Sequence, residues 1–130
     1  MMFTVKGDPR GKQRPRLTRS GIVYTPSETT HYEKSVKASY YMAGGTKIEG
    51  PVKITVWAFL RIPASKSAKA KMEMSGQPAT KKPDIDNILK IILDGLNGVA
   101  YDDDKQVVQA TVYKGYRPEP SVVVDVEAVI

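Results

Sequence analysis

Between Val52 and Ile62 the chain alternates without a break. Val52, Ile54, Val56, Ala58, Leu60 and Ile62 fall on one side, and Lys53, Thr55, Trp57, Phe59 and Arg61 on the other. A strict period of two fits a pleated strand and no helix. The aliphatic side needs a core, so the chain must build a sheet with at least one covered face. The other side carries Trp57 and Phe59, which call for cover by a helix or a partner chain. Trp57 is read as core or interface packing rather than as a platform for stacking a base. Pro63 stops the strand.

The remaining segments supply what such a strand needs. Phe3 to Lys6 reads as a short strand ending at Gly7. Residues 105–116 and 121–130 alternate again, with Val108, Ala110 and Val112 on one face of the first and Val122, Val124, Val126, Ala128 and Ile130 on one face of the second. Arg117-Pro118-Glu119-Pro120 between them is a turn, so a hairpin is expected. Pro26-Ser27-Glu28 opens a helix over about 27–43, with Thr25 or Ser27 as its cap and Tyr32, Val36 and Tyr40 as its packing stripe. His31 is the chain's one histidine and lies early in that helix, where a surface or packing role is expected. Residues 64–74 form a short, lysine-rich, exposed helix. Together these predict an α+β fold, one sheet of about four strands with helices packed on it, and one domain over residues 1–130.

A second stretch constrains function more than fold. Lys81-Lys82-Pro83-Asp84-Ile85-Asp86-Asn87-Ile88-Leu89-Lys90 leads into an apolar helix over 84–97, with Ile85, Ile88, Leu89, Ile92 and Leu96 on one face. Pro83 suits the approach to a helix, and Asn97-Gly98 ends it. Ile91 and Leu93 widen the apolar girth, so this helix is expected to touch both the sheet and a second subunit. Asp84 and Asp86 sit at its N-terminus, where the helix dipole favours anions, and Lys90 follows Asp86 by one turn. Asp94 continues that polar line, and Asp102-Asp103-Asp104 precede the next strand.

Each acid alone reads as a cap, a surface pair or a solvated turn. Gathered at two points of a basic chain, they read as hard oxygen ligands for Mg²⁺, which is held by one or two carboxylates plus a substrate phosphate. The chain has 20 basic and 14 acidic residues, a net charge of +6, so the natural phosphate is that of a nucleic acid. Arg10, Lys12, Arg14, Arg16 and Arg19 fall within ten residues of a loop without apolar periodicity, a phosphate-contacting arm. The absence of cysteine excludes disulfides, zinc-thiolate sites and thiol catalysis and fits a reducing cytoplasm. No run is long and apolar enough to span a membrane, and the first residues do not form a signal peptide.

These blocks resemble the RusA family of Holliday junction resolvases. The likeness rests on Lys82 to Lys90, on Leu93-Asp94-Gly95-Leu96-Asn97-Gly98, and on Tyr101 with Asp103-Asp104 before Gln106-Val107-Val108. It extends to Gly7-x-Pro9-x-Gly11-Lys12-x-Arg14-Pro15-Arg16 and to Tyr24-Thr25-Pro26. The resemblance implies a mixed sheet, a homodimer, and Mg²⁺-dependent (or Mn²⁺-dependent) hydrolysis that nicks four-way junction DNA symmetrically, in recombination and repair. It carries the metal-binding and catalytic carboxylates onto Asp84, Asp86 and Asp104, with Asp103 as a further metal ligand, and the catalytic lysine onto Lys90. Three aspartates stand where the family needs two; counting back from Gln106 selects Asp103-Asp104, and an assignment one residue earlier stays open. The DNA contacts are expected from Arg10, Lys12, Arg14, Arg16, Arg19, Lys81 and Lys82, in a cytoplasmic protein of bacterial or phage origin. Two other readings share the charge: a basic DNA-binding dimer without catalysis, which has no use for acids beside phosphates, and a metal nuclease acting on flaps, single strands or RNA.

Overall fold

A computed structural model describes residues 1–130. Six strands and three helices follow in order: β1 (Met2–Lys6), β2 (Arg16–Leu17), β3 (Val23–Tyr24), α1 (Ser27–Met42), β4 (Val52–Arg61), α2 (Ala68–Met74), α3 (Ile85–Leu96), β5 (Val107–Arg117) and β6 (Ser121–Ala128). A short 3-10 turn, Asp104–Gln106, joins α3 to β5. The main sheet has the order β1-β6-β4-β5, with β4 parallel to β5 and antiparallel to β6, and β1 antiparallel to β6. It is therefore mixed, and the α+β expectation holds.

The strand with the strictest alternation takes the centre. Val52, Ile54, Val56 and Ala58 are buried and face the same core as Phe3, Val5, Val122, Val124 and Val126. From the helices, Val36 and Tyr40 of α1 and Ile88, Ile91, Ile92 and Leu96 of α3 close that core. Full burial of each large aliphatic contributes about 1.5–3 kcal/mol, so α3 is held by packing far more than by its ends. On α3, Ile91 is buried and Leu93 half-buried within this chain, while Ile85 stays 54% exposed. α2 buries no residue, as a lysine-rich exposed helix should.

The expected hairpin is also corrected. β5 and β6 do not pair, because β4 lies between them and their link steps over its end. Flanking strands of one sheet stand only about 9.5 Å apart, within reach of three residues. A register irregularity between Val52 and Lys53 leaves Val108 without a partner and 64% exposed, whereas Val107 and Val112 pack on the core. That bulge breaks the simple alternation read for β5. On the sheet's outer face Trp57 stays half-buried, while Phe59 is covered, with the Arg117 guanidinium 3.6 Å from its ring centre. The N-cap of α1 is Pro26, not Thr25 or Ser27; its extended ψ of 140° lets its carbonyl take the Thr29 N–H. No helix is long and apolar enough to cross a membrane.

Candidate functional site

Three pieces of chain converge at α3. Asp84 is the N-cap in extended conformation, with no side-chain cap hydrogen bond, and Asp86 lies in the first turn; both are exposed and neither takes part in an ion pair. These two carboxylates are free for a ligand in a way that capping or salt-bridged ones are not. The positive end of α3 favours negative charge here.

The second piece is the return from α3. Gly98, at φ +83°, turns the chain, and its N–H meets the Tyr101 carbonyl at 2.7 Å. Tyr101 is buried and donates its hydroxyl to the Leu93 carbonyl at 2.8 Å, which fastens the aspartate triplet to the helix. The three acids then part company. Asp102 pairs with Lys47 at 2.8 Å. Asp103 caps the 3-10 turn by accepting the Lys105 N–H at 3.0 Å, and Gln106 completes a capping box. That backbone hydrogen bond, with one to Asp104, holds the Asp103 carboxyl below the usual range. Asp104 alone points to α3, where its Oδ2 lies 3.6 Å from Lys90 Nζ.

Lys90 also meets Asp94 Oδ1 at 3.2 Å, one turn on. The Asp94 hydrogen bond and charge, with a smaller contribution from Asp104, raise the Lys90 pKa, so its ammonium is firmly charged. Burial first, then the carboxylates of Asp104, Asp94 and Asp103, push the Tyr101 hydroxyl upward as well.

The third piece is the N-terminal loop. Gly11 packs so closely on α3 that a Cβ there would meet Asn87 Cβ and Pro83 Cβ at 3.1 Å, and the Lys12 N–H donates to the Asn87 carbonyl at 2.9 Å. Lys12 was expected among the DNA contacts, but its side chain turns inward, to Glu33 of α1 at 2.8 Å and Asp94 of α3 at 3.0 Å. Its side chain is only 23% exposed, and two carboxylates satisfy it. Arg14, Arg16 and Arg19 are exposed and form no ion pair, and Arg10 only a loose one with Glu28 at 3.9 Å. Arg16–Leu17 at the end of this loop pairs with Val23–Tyr24 in a small hairpin.

With that geometry in view, the likeness to known proteins is direct. A family model described as endodeoxyribonuclease RusA matches residues 6–127. The chain belongs to the RusA family. The uncharacterized protein YqaN of Bacillus subtilis (strain 168) is 38% identical over 136 residues, spanning 98% of this chain and 95% of YqaN. Membership makes phosphodiester hydrolysis in DNA the chemistry to be matched to this RusA site.

The donor set suits a hard divalent cation: Asp84 and Asp86 bear free carboxylates, and Asp104 a half-buried one. No three of the acidic or histidine side chains are gathered closely enough to hold a metal ion together. Mg²⁺ keeps several waters and asks for only one or two carboxylates, so an open set is compatible with it.

Lysine and arginine side chains outside the N-terminal loop gather at the end of the sheet. Lys81 and Lys82 border a cleft with Arg61 and Pro83, and Arg61 in turn lines a groove with Lys6 and Arg117. Lys81 also lies over the Tyr116 ring, 5.8 Å from its centre. Sequence reading missed Lys6, Arg61 and Arg117 because each stands alone at a strand end; only the sheet order brings them together.

Proposed function

We propose that this chain resolves four-way DNA junctions by paired, symmetric nicks, as a homodimer that hydrolyses phosphodiester bonds with Mg²⁺, in DNA recombination and repair in the cytoplasm. The observation that carries the reading is the approach of Asp104 to Lys90 on the helix that begins with the unpaired Asp84 and Asp86. Asp84, Asp86 and Asp104 would hold the cation, and Asp103, engaged as a cap, would contribute at most from outside. A cation held there would supply a lowered pKa for the attacking water and charge neutralisation at the scissile phosphate and the leaving 3′ oxygen.

The chain's own groups do the rest. Lys90, charged and 55% exposed, presents its ammonium to a phosphate oxygen as negative charge builds in the transition state. Arg14, Arg16, Arg19, Lys81 and Lys82, with Lys6, Arg61 and Arg117 beside them, neutralise the arms' phosphates and fix their path. A dimer matches the twofold symmetry of a junction, so that two sites face strands of equal sequence. Its contact surface would be the outer face of the sheet around Met2, Trp57 and Tyr113, where Met2 is 57% exposed.

The test is cleavage of a labelled, immobile four-way junction with Mg²⁺ or EDTA, beside a linear duplex, a flap and a single strand of the same sequence. Paired nicks confined to the junction and dependent on metal are expected. Asp84→Asn is expected to abolish cleavage while keeping or tightening junction binding. Metal-dependent cutting of flap or single strand instead would keep the chemistry and discard the substrate; wild-type cleavage by Asp84→Asn would remove the metal reading.

A further inference from the structure

Asp94 has an unusual place in this site. One of its oxygens takes Lys90 at 3.2 Å, and the other takes Lys12 at 3.0 Å, from a different part of the chain. Lys12 is held in turn by Glu33 of α1 at 2.8 Å and through its own N–H by the Asn87 carbonyl. An ordinary i,i+4 pair on an exposed helix leaves both side chains free to change rotamer. Here Asp94 is only 16% exposed and clamped from behind, so Lys90, more than half exposed, is tied to a fixed anchor.

We infer that Asp94 is a positioning residue that aims Lys90 at the reacting phosphate, and that Lys12, braced by Glu33, fixes Asp94 in place. The inference rests on the proposed role of Lys90. It assigns Lys12 to the interior of the site, although its neighbours Arg14 and Arg16 face solvent. It also gives the N-terminal loop a second role, because the loop that carries arginines to the DNA also delivers the cation that locks Asp94. A group whose reacting atom must be held to within an ångström loses much of its effect when its support is loosened.

The experiment measures single-turnover junction cleavage, junction Kd and the salt dependence of Kd for Asp94→Asn, Lys12→Met, Lys12→Arg and Lys90→Ala, each at a temperature where circular dichroism shows it folded. Asp94→Asn and Lys12→Met are expected to slow cleavage about 10- to 100-fold, the range typical of lost outer supports, with Kd and its salt dependence unchanged. Lys12→Arg, which keeps a donor to both carboxylates, is expected to recover most of the rate. A support of the fold alone would lower the melting temperature without slowing the folded enzyme. Wild-type cleavage by Asp94→Asn beside an inactive Lys90→Ala overturns the inference and spares the role of Lys90. Wild-type cleavage by Lys90→Ala removes both. If Lys12→Met weakens binding and flattens its salt dependence at the wild-type rate, Lys12 is a phosphate contact and the inference fails; if that variant does not fold, Asp94→Asn and Lys12→Arg decide it.

Discussion

Three neighbouring aspartates with three different partners show how little residue type alone decides. Asp102 answers Lys47, Asp103 the backbone of its own turn, and Asp104 the lysine of α3. Lys12 makes the same point for cations. Burial lowers its pKa, but the hydrogen bonds and charges of Glu33 and Asp94 outweigh that, and the net shift is upward from 10.5. A raised lysine pKa adds stability that is fully present below the unfolded value and is lost as pH rises through the folded one. Lys12→Met, which strands two carboxylates, is therefore expected to cost about 1–3 kcal/mol. Urea unfolding at pH 8 should show that gap, and it should narrow only above pH 10.5. A gap already closing near neutrality would mean that the ion pairs are not its source. Asp84, Asp86 and Lys90 were legible as a set because helical spacing places them. Lys12 was not, since both its acidic partners lie on helices remote in sequence.

At the scale of elements, the packing of α1 on α3 sets the position of the whole site, because α3 carries both the free acids and Lys90. Gly95 makes that approach close: a Cβ there would lie 2.8 Å from Val36 Cβ and 2.9 Å from its Cγ1. Neither atom is the far end of a flexible chain, so the helices must separate. Lys37 adds a tie by donating to the Gly95 and Asn97 carbonyls at 2.7 and 3.0 Å, a cation at the negative end of α3. Alanine gains about 1 kcal/mol over glycine in a helix, and overpacking costs about 1–3 kcal/mol. Gly95→Ala is thus expected to destabilise by up to about 2 kcal/mol, read from the urea midpoint, and a higher midpoint would show that the interface yields freely. The bounds of α3 were readable from Pro83 and Gly98. The partner of β5 was not: alternation reports which face is buried but says nothing about which strand lies beside it.

At the scale of the molecule, a net charge of +6 is spread unevenly. Some of the positive charge near the site is turned inward: Lys12 is compensated by Glu33 and Asp94, and Lys37 is spent on the carbonyls that end α3. What remains unpaired is the exposed Arg14, Arg16 and Arg19 and, along the sheet end, Lys81 and Lys82, with Arg61 held only loosely by Asp8 at 3.8 Å. A protein that neutralises phosphates releases counterions, and the slope of log affinity against log salt shrinks by about 0.9 for each phosphate that is no longer neutralised. If Arg14 and Arg16 each hold one phosphate, Arg14→Gln with Arg16→Gln should flatten that slope by about 2 and weaken junction binding at low salt most of all. Stability should barely move, since neither side chain has a partner to lose. Binding titrations between about 50 and 200 mM salt would measure the slope. An unchanged slope would make the arm a solvated loop and leave the sheet-end cations as the main seat of the DNA.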